Sequence, residues 1–545
     1  MPDAGSEALT KAGAPPLVDL PREYNAASHF IDRHLAAGRG DKIAYIDDAG
    51  RYSYAELARR VNQAGNVLRG LGLEGEQRVM LCLPDGIDFV ALFWGAIKAG
   101  IVPIPVNTLL TADDYDFMLR DSRAKVLVVA AAAAEKFRAR RAAQPALKTI
   151  LTLGAAPAGG DAGGEGDFSR LREAASEHLD AAATCRDEPA FWLYSSGSTG
   201  APKGTLHLHG SLVQTAVLYG ERVLGIREGD VMFSAAKLFF AYGLGNAMTF
   251  PLHVGASAVL LAGRPTPEAV AEVMARHRPT LFFGVPTLYA AMLAAGQDQA
   301  ATGGGRLRAC VSAGEALPED VSRRWRKRFG VEILDGIGST EMLHIFLSNR
   351  PDDIRYGSTG RPVPGYRLRI LDEAGRDAAP GEIGELLVSG PSAAAGYWNN
   401  CDRTRTTFEG AWVRTGDKYT SDGDGYYQYA GRADDMLKVG GIWVSPFEVE
   451  QALAAHPAVL EAAVVGMADA DGLIKPKAFV VLQAGNAGGG GMAGTLQAFV
   501  KDRLAPYKYP RWVEFLDELP KTATGKIQRF KLRSRDAGGA RRTRP

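Results

Sequence analysis

Short apolar runs recur along the chain, and most of them lead into segments with helical spacing. "QRVMLCLP", "AKVLVVAA", "ASAVLLAG", "PTLFFGVP", "LRACVSAG" and "VEILDGIG" are each bounded by turn residues. Such runs predict central strands buried on both faces. The segments "GIDFVALFWGAIKAG" and "PEAVAEVMARHR" between them have apolar residues at helix period, so the bulk of the chain is expected to be α/β, with mostly parallel sheets covered by helices. Beyond residue 362 the texture changes: "YRLRILDEAGRDAAPGEIGELLVSG" alternates polar and apolar residues broken by Gly and Pro, as in antiparallel hairpins or a small barrel. After Asp434 a segment of about one hundred residues has strands of its own, "EAAVVGM" and "KAFVVLQ", and helices, "SPFEVEQALAAH" and "LQAFVKDRLA". The predicted organisation is an N-terminal domain over 1–433 with a small β-rich subdomain, an α+β C-terminal domain over 434–533, and a basic, disordered tail over 534–545.

The Gly/Ala-rich stretches 154–166 and 484–494 are expected to be surface connections. Residues 238–263 contain no Lys, Arg, Asp or Glu, but Pro251, His253, Gly243, Gly245 and Gly255 interrupt them. They are read as a buried helix, turn and strand rather than a membrane helix.

Composition narrows the function. With 46% hydrophobic and 23% charged residues the chain has the balance of an ordinary globular protein. Its 63 Lys and Arg nearly cancel 62 Asp and Glu, so no global field collects nucleic acid or an anionic membrane, and neither is an expected partner. Cys82, Cys185, Cys310 and Cys401 are far apart and form no C-x-x-C pair, so they are expected to be reduced, mostly buried thiols. The N-terminal residues lack the pattern of a signal peptide, and a cytoplasmic location is expected.

The stretch "YSSGSTGAPKG", residues 194–204, concentrates small and hydroxylated residues before a lysine. Backbone N–H groups bared by glycine, hydroxyls and one ammonium suit a polyphosphate. The P-loop pattern fails because Lys203 follows Pro202 and precedes Gly204, and G-x-G-x-x-G is absent. Composition alone therefore leaves a ligand-free turn open.

"YSSGSTGAPKG" followed by "DGIGSTE" (335–341), "VRTGD" (413–417), "GRADDMLKVGG" (431–441) and "PKTATGKIQR" (520–529) resembles, in that order, the adenylate-forming family of acyl-CoA synthetases, luciferases and peptide-synthetase adenylation domains. The resemblance spans roughly residues 45–532 and implies ATP, Mg²⁺, a large N-terminal domain and a small mobile C-terminal one. It assigns Ser195, Ser196, Gly197, Ser198, Thr199, Gly200 and Lys203 to the β- and γ-phosphates, with Thr199 beside the metal and Glu341 as its protein ligand. Gly314, Glu315 and Ala316 would flank the adenine, with Asp335, Gly336 and Thr340 also at the nucleotide. Asp417 would accept the ribose hydroxyls with Arg432 nearby, and Lys526 would bridge the substrate carboxylate and the α-phosphate. Asp434 would be the hinge, while Lys438, Gly440, Gly441 and Trp443 would line the coenzyme A channel.

The acid is narrowed by what stands at its pocket. Ala241 occupies the place where amino-acid-activating relatives hold an Asp, and no carrier-domain serine motif follows Lys526. Gly336 and Gly338 leave more room than acetate needs. "AAKLFFAYGLGNAMTFPLHVGA" and "GSTEMLHIF" look most like benzoate–CoA ligases and related aryl-CoA synthetases. A flat acid would then meet Phe240, Ala241, Tyr242, Gly243, the Gly284, Val285 and Pro286 turn, Ile337, Gly338 and His344. Hydroxybenzoate, aminobenzoate and medium-chain fatty acids stay open as substrates. So do a luciferase-like oxidation and a non-catalytic nucleotide sensor, although a sensor would be expected to lose Lys526 or Glu341, and both are present. His207 and His209 alternate as on one strand face, without further ligands for a metal, and are read as structural. The chain is expected to act as a monomer or homodimer.

Overall fold

The computed structural model describes residues 18–154, 165–195, 202–296, 305–433, 435–439, 442–469, 473–521 and 527–539. Side chains at 438, 442, 443 and 536–539 are outside the description.

Two helix-covered sheets carry the core. The larger has nine strands, in the order Arg361–Pro362, Ile345–Ser348, Ile333–Gly338, Ala309–Ser312, Leu281–Gly284, Val231–Ser234, Ser257–Val259, Ile43–Ile46 and Arg51–Ser53. Its interior pairs are parallel, and both ends turn antiparallel. The second sheet orders Val102–Pro105, Arg78–Cys82, Val126–Ala130, Thr149–Leu153 and Glu165–Asp167, all parallel. The predicted central strands in these sheets are buried across both faces, because helices such as Tyr54–Gly70 and Ile87–Lys98 cover them.

The texture change after residue 362 produces an antiparallel five-stranded sheet built on Arg367–Leu371, Gly384–Ser389, Phe408–Glu409, Trp412–Ser421 and Tyr427–Arg432. A three-stranded antiparallel sheet joins Pro189–Ser195, Lys203–Leu208 and the two-residue strand Gly396–Tyr397. The C-terminal part holds a mixed sheet of Val459–Ala468, Ile474–Leu482 and Trp512–Phe515, with helices Pro446–Ala454 and Gly490–Lys501 closing a separate apolar cluster. The α/β expectation is borne out in both large sheets.

Three local expectations are corrected. Residues 490–494, expected in a connection, form the first turn of the helix Gly490–Lys501, which Leu496 and Val500 anchor in the core. Extending an anchored helix adds a hydrogen bond for each residue fixed, which outweighs the weak helix preference of glycine. The helix Arg529–Gly539 runs into the segment expected to be a disordered tail. Of the cysteines, Cys82 and Cys310 are buried, Cys185 is half-buried, and Cys401 is exposed at the start of the helix Cys401–Thr407. Residues 238–263 form short buried helical turns and a core strand, and no described helix is long and apolar enough to cross a membrane.

Candidate active site

Four neighbouring parallel strands, Val231–Ser234, Leu281–Gly284, Ala309–Ser312 and Ile333–Gly338, end side by side. The segments leaving their carboxyl ends include residues 235–243, 285–286, 313–316 and 339–344, so stretches scattered over a hundred positions meet at one sheet edge. Ligands of open α/β sheets collect in the crevice outside such strand ends.

At one corner of this edge the strand pair Pro189–Ser195 and Lys203–Leu208 brings Ser195 opposite Lys203. Lys203 Nζ lies 3.9 Å from Glu341 Oε1, and Ser195 Oγ is 3.5 Å from the same oxygen. Between lysine and carboxylate stands Tyr397, whose hydroxyl donates to Glu341 Oε1 at 2.7 Å and accepts from Lys203 Nζ at 3.2 Å. Burial lowers the Lys203 ammonium's pKa, an effect that Glu341 opposes and that Arg403 and Arg432 reinforce. Burial and Glu341 push the Tyr397 phenol far above its usual range, so it stays a proton donor. Sequence reasoning missed Tyr397, because only the pairing of Gly396–Tyr397 with Lys203–Leu208 brings it here.

Asp417 and Arg432 are register partners on the strands Trp412–Ser421 and Tyr427–Arg432, and Arg432 donates to Asp417 Oδ1 at 2.9 Å. Asp335 pairs with Ser312, the last residue of the strand Ala309–Ser312. Its Oδ1 is buried with no hydrogen-bond partner among the described residues, and burial holds its carboxyl well above the usual carboxylate range. An unmet polar atom there fits a ligand that brings its own hydrogen-bonding edge, as a purine does. Gly314, with φ of +92°, takes the left-handed turn that follows the strand Ala309–Ser312.

The aromatic stretch closes the other side. Tyr242 donates to the carbonyls of Val311 at 3.0 Å and Gly284 at 3.3 Å, bridging two strand ends. Its ring centroid lies 5.6 Å from that of His344, which also meets Tyr219 at 5.5 Å and Phe250 at 4.5 Å. His344 Nε2 faces Asn246 Oδ1 at 3.1 Å and the Tyr242 carbonyl at 3.3 Å, two acceptors that place its proton on Nε2. Nδ1 is then an acceptor, buried without a partner among the described residues, and burial lowers the imidazole pKa to about 3, so the ring is neutral. Phe240, Ala241 and Ile337 pack partly buried against the same core. A Cβ on Gly243 would stand 2.1 Å from the Lys237 carbonyl, so the segment folds back too tightly for any side chain there. A residue not singled out from sequence, Asp85, pins this segment by accepting the Leu238 N–H at 3.0 Å.

The two histidines noted from sequence part company. His207 lies within the strand Lys203–Leu208, stacked on Phe191 with centroids 5.0 Å apart, whereas His209 opens a helix and accepts the Ala26 N–H at 3.1 Å. Lys438 and Trp443 pair across the hairpin Leu437–Val439 and Ile442–Val444. Residues 196–200, Asp434, Gly440, Gly441 and Lys526 fall outside the described residues.

Among the described residues no three His, Cys, Asp or Glu side chains form a metal cluster. Mg²⁺ held by one carboxylate and by nucleotide phosphates needs none. Glu341, set beside the Ser195 hydroxyl, fits that mode.

Residues 32–398 match the AMP-binding enzyme family, and residues 448–526 match the AMP-binding enzyme C-terminal domain. The chain is 60% identical to a benzoate–CoA ligase of Thauera aromatica over 525 residues, 96% of this chain and 98% of that one. Among solved structures it resembles a benzoate CoA ligase from Burkholderia xenovorans LB400, with a TM-score of 0.87, 50% identity and coverage of 94% of this chain and 100% of that one. It also resembles the anthranilate CoA ligase AuaEII in complex with anthranoyl-AMP, with a TM-score of 0.91, 44% identity and coverage of 96% and 99%.

Proposed function

Because the chain belongs to the AMP-binding enzyme family, we propose that it is an AMP-forming ligase that joins benzoate to coenzyme A at the expense of ATP. Identity to a benzoate–CoA ligase along nearly the whole of both chains carries this reading, and the aromatic corner around Tyr242 and His344 fits a flat apolar acid.

A carboxylate resists a thiol because its charge repels attack and oxide is a poor leaving group; attaching AMP supplies a good one. In the first half-reaction a benzoate oxygen bonds to the α-phosphorus of ATP and pyrophosphate departs. In the second, the coenzyme A thiol attacks the acyl carbon, its proton is lost, and AMP departs. Both reactants of the first half are anions, so this chain must offset their repulsion. Lys203 supplies positive charge to the phosphates, Asp417 orients the ribose through its hydroxyls, and Asp335 meets the edge of the base. Glu341 would hold Mg²⁺, which would supply charge neutralisation to the phosphate oxygens. Lys526 bridges the carboxylate and the α-phosphate, and Gly440 and Gly441 give passage to the pantetheine chain. The substrates are small molecules.

A second reading extends the first to hydroxybenzoate or aminobenzoate. It is favoured by the buried His344 Nδ1, an acceptor that a ring O–H or N–H could meet.

The test is product analysis after incubation with ATP, Mg²⁺, coenzyme A and benzoate. Benzoyl-CoA, AMP and pyrophosphate in equal amounts are expected. ADP and phosphate, or no thioester, would refute the proposal.

A further inference from the structure

Lys203 and Glu341 are opposite charges that stop short of contact, at 3.9 Å. Their side chains are only 14% and 16% exposed, so water screens them poorly. Such a pair closes to roughly 2.8 Å when nothing intervenes. Here the Tyr397 hydroxyl intervenes, donating to the carboxylate and accepting from the ammonium.

The position of that hydroxyl is set by the backbone. Tyr397 pairs with Thr205 across the strand Lys203–Leu208, and its N–H donates to Thr404 Oγ1 at 3.0 Å. Its ring stands edge-on to Phe408 with centroids 5.4 Å apart and lies under Lys203 Nζ at 4.4 Å. Ring and hydroxyl therefore make separable contributions: the ring gives the ammonium a cation–π seat, and the hydroxyl spaces it from the carboxylate.

Under the proposed function both charges have other work, Glu341 on Mg²⁺ and Lys203 on phosphate. A closed Lys203–Glu341 pair would neutralise the one and occupy the other. We propose that Tyr397 is a positioning residue whose hydroxyl holds Glu341 and Lys203 apart, keeping the carboxylate available to the metal and the ammonium available to the nucleotide. This inference rests on the reading of the site as one for MgATP.

Tyr397→Phe tests it, because phenylalanine keeps the ring contacts and removes only the hydroxyl. Calorimetric binding of a non-hydrolysable ATP analogue, titrated at several Mg²⁺ concentrations, reads the site without turnover. The variant is expected to bind the analogue about tenfold more weakly than wild type at low Mg²⁺ and to recover as Mg²⁺ is raised. Conversion of supplied benzoyl-AMP and coenzyme A to benzoyl-CoA, which needs neither metal nor polyphosphate, should stay within twofold of wild type. In a Lys203→Met background, Tyr397→Phe should raise the Mg²⁺ requirement no further, since no ammonium remains to collapse onto Glu341. An unchanged Mg²⁺ dependence in the Phe variant, or equal losses in binding and in the thioester step, would overturn the inference. Wild-type protein that binds the analogue without any dependence on Mg²⁺ would instead overturn the reading beneath it.

Discussion

Asp417 and Arg432 face each other across two antiparallel strands, and the guanidinium fixes one carboxylate oxygen at 2.9 Å. A carboxylate is a double acceptor with about four lone-pair directions, which suits it to a pair of ribose hydroxyls. Hydrogen bonds to a charged acceptor contribute about 1.5–3 kcal/mol each. Asp417→Ala is therefore expected to lower kcat/KM for ATP about 100-fold, and Arg432→Gln about tenfold. Steady-state kinetics with ATP and benzoate varied in turn checks this. A benzoate KM that rises as much as the ATP KM would contradict the assignment.

Gly245 lies too close to His344 for any side chain at 245: a Cβ there would lie 2.2 Å from His344 Cδ2. Gly245→Ala must therefore displace the imidazole. The expected result is a roughly tenfold rise in the benzoate KM, the scale of one misfitted methyl group in an apolar pocket. The ATP KM should hold. An ATP KM that rises in parallel would mean that His344 does not border the acid.

Asp85 is 4% exposed, and burial raises its carboxyl pKa from 3.8 to about 6 against the opposing pull of Lys237. The folded protein thus holds this proton more tightly than the unfolded chain does. Its contribution to stability is fully present below pH 3.8, falls as pH climbs to about 6, and leaves the ionised group destabilising above that. The cost amounts to ~3 kcal/mol. Asparagine keeps the acceptor for the Leu238 N–H without the charge, so Asp85→Asn should raise Tm by a few degrees at pH 8 and change it little at pH 4. Thermal melting at both pH values decides; a lower Tm for the variant at pH 8 would contradict the burial argument.

Under the proposed function Lys526 acts in the first half-reaction and not in the second. Lys526→Ala should lose pyrophosphate exchange by more than 100-fold, a loss of charge stabilisation in the transition state. Conversion of supplied benzoyl-AMP to benzoyl-CoA should be largely retained. Comparable losses in both halves would remove the lysine from the first half-reaction.

How far the sequence reveals this molecule depends on how local each signal is. The strands ending at Ser312 and Gly284 are legible as apolar runs, because burial on both faces leaves no charged position in them. Asp417 and Arg432 stand in short motifs that can be read in place. Tyr397 cannot be found that way: it meets Lys203 and Glu341 only through a two-residue strand paired with one nearly two hundred positions earlier. Asp85 reads as a turn residue in "LPDG", and its burial under the loop at Leu238 is a tertiary fact. Residues 490–494 read as a surface connection because glycine dominates them, whereas packing of Leu496 and Val500 draws them into a helix.

The central claim, activation of an aryl carboxylate as its adenylate, is tested most directly by carboxylate-dependent exchange between ATP and pyrophosphate in the presence of Mg²⁺ and without coenzyme A. Benzoate, hydroxybenzoates, 2-aminobenzoate, hexanoate and an amino-acid mixture would be compared. Strong exchange with benzoate, little with hexanoate and none with amino acids is the predicted result. Exchange with hexanoate alone would contradict the aryl pocket, and no exchange with any acid would contradict the adenylate itself.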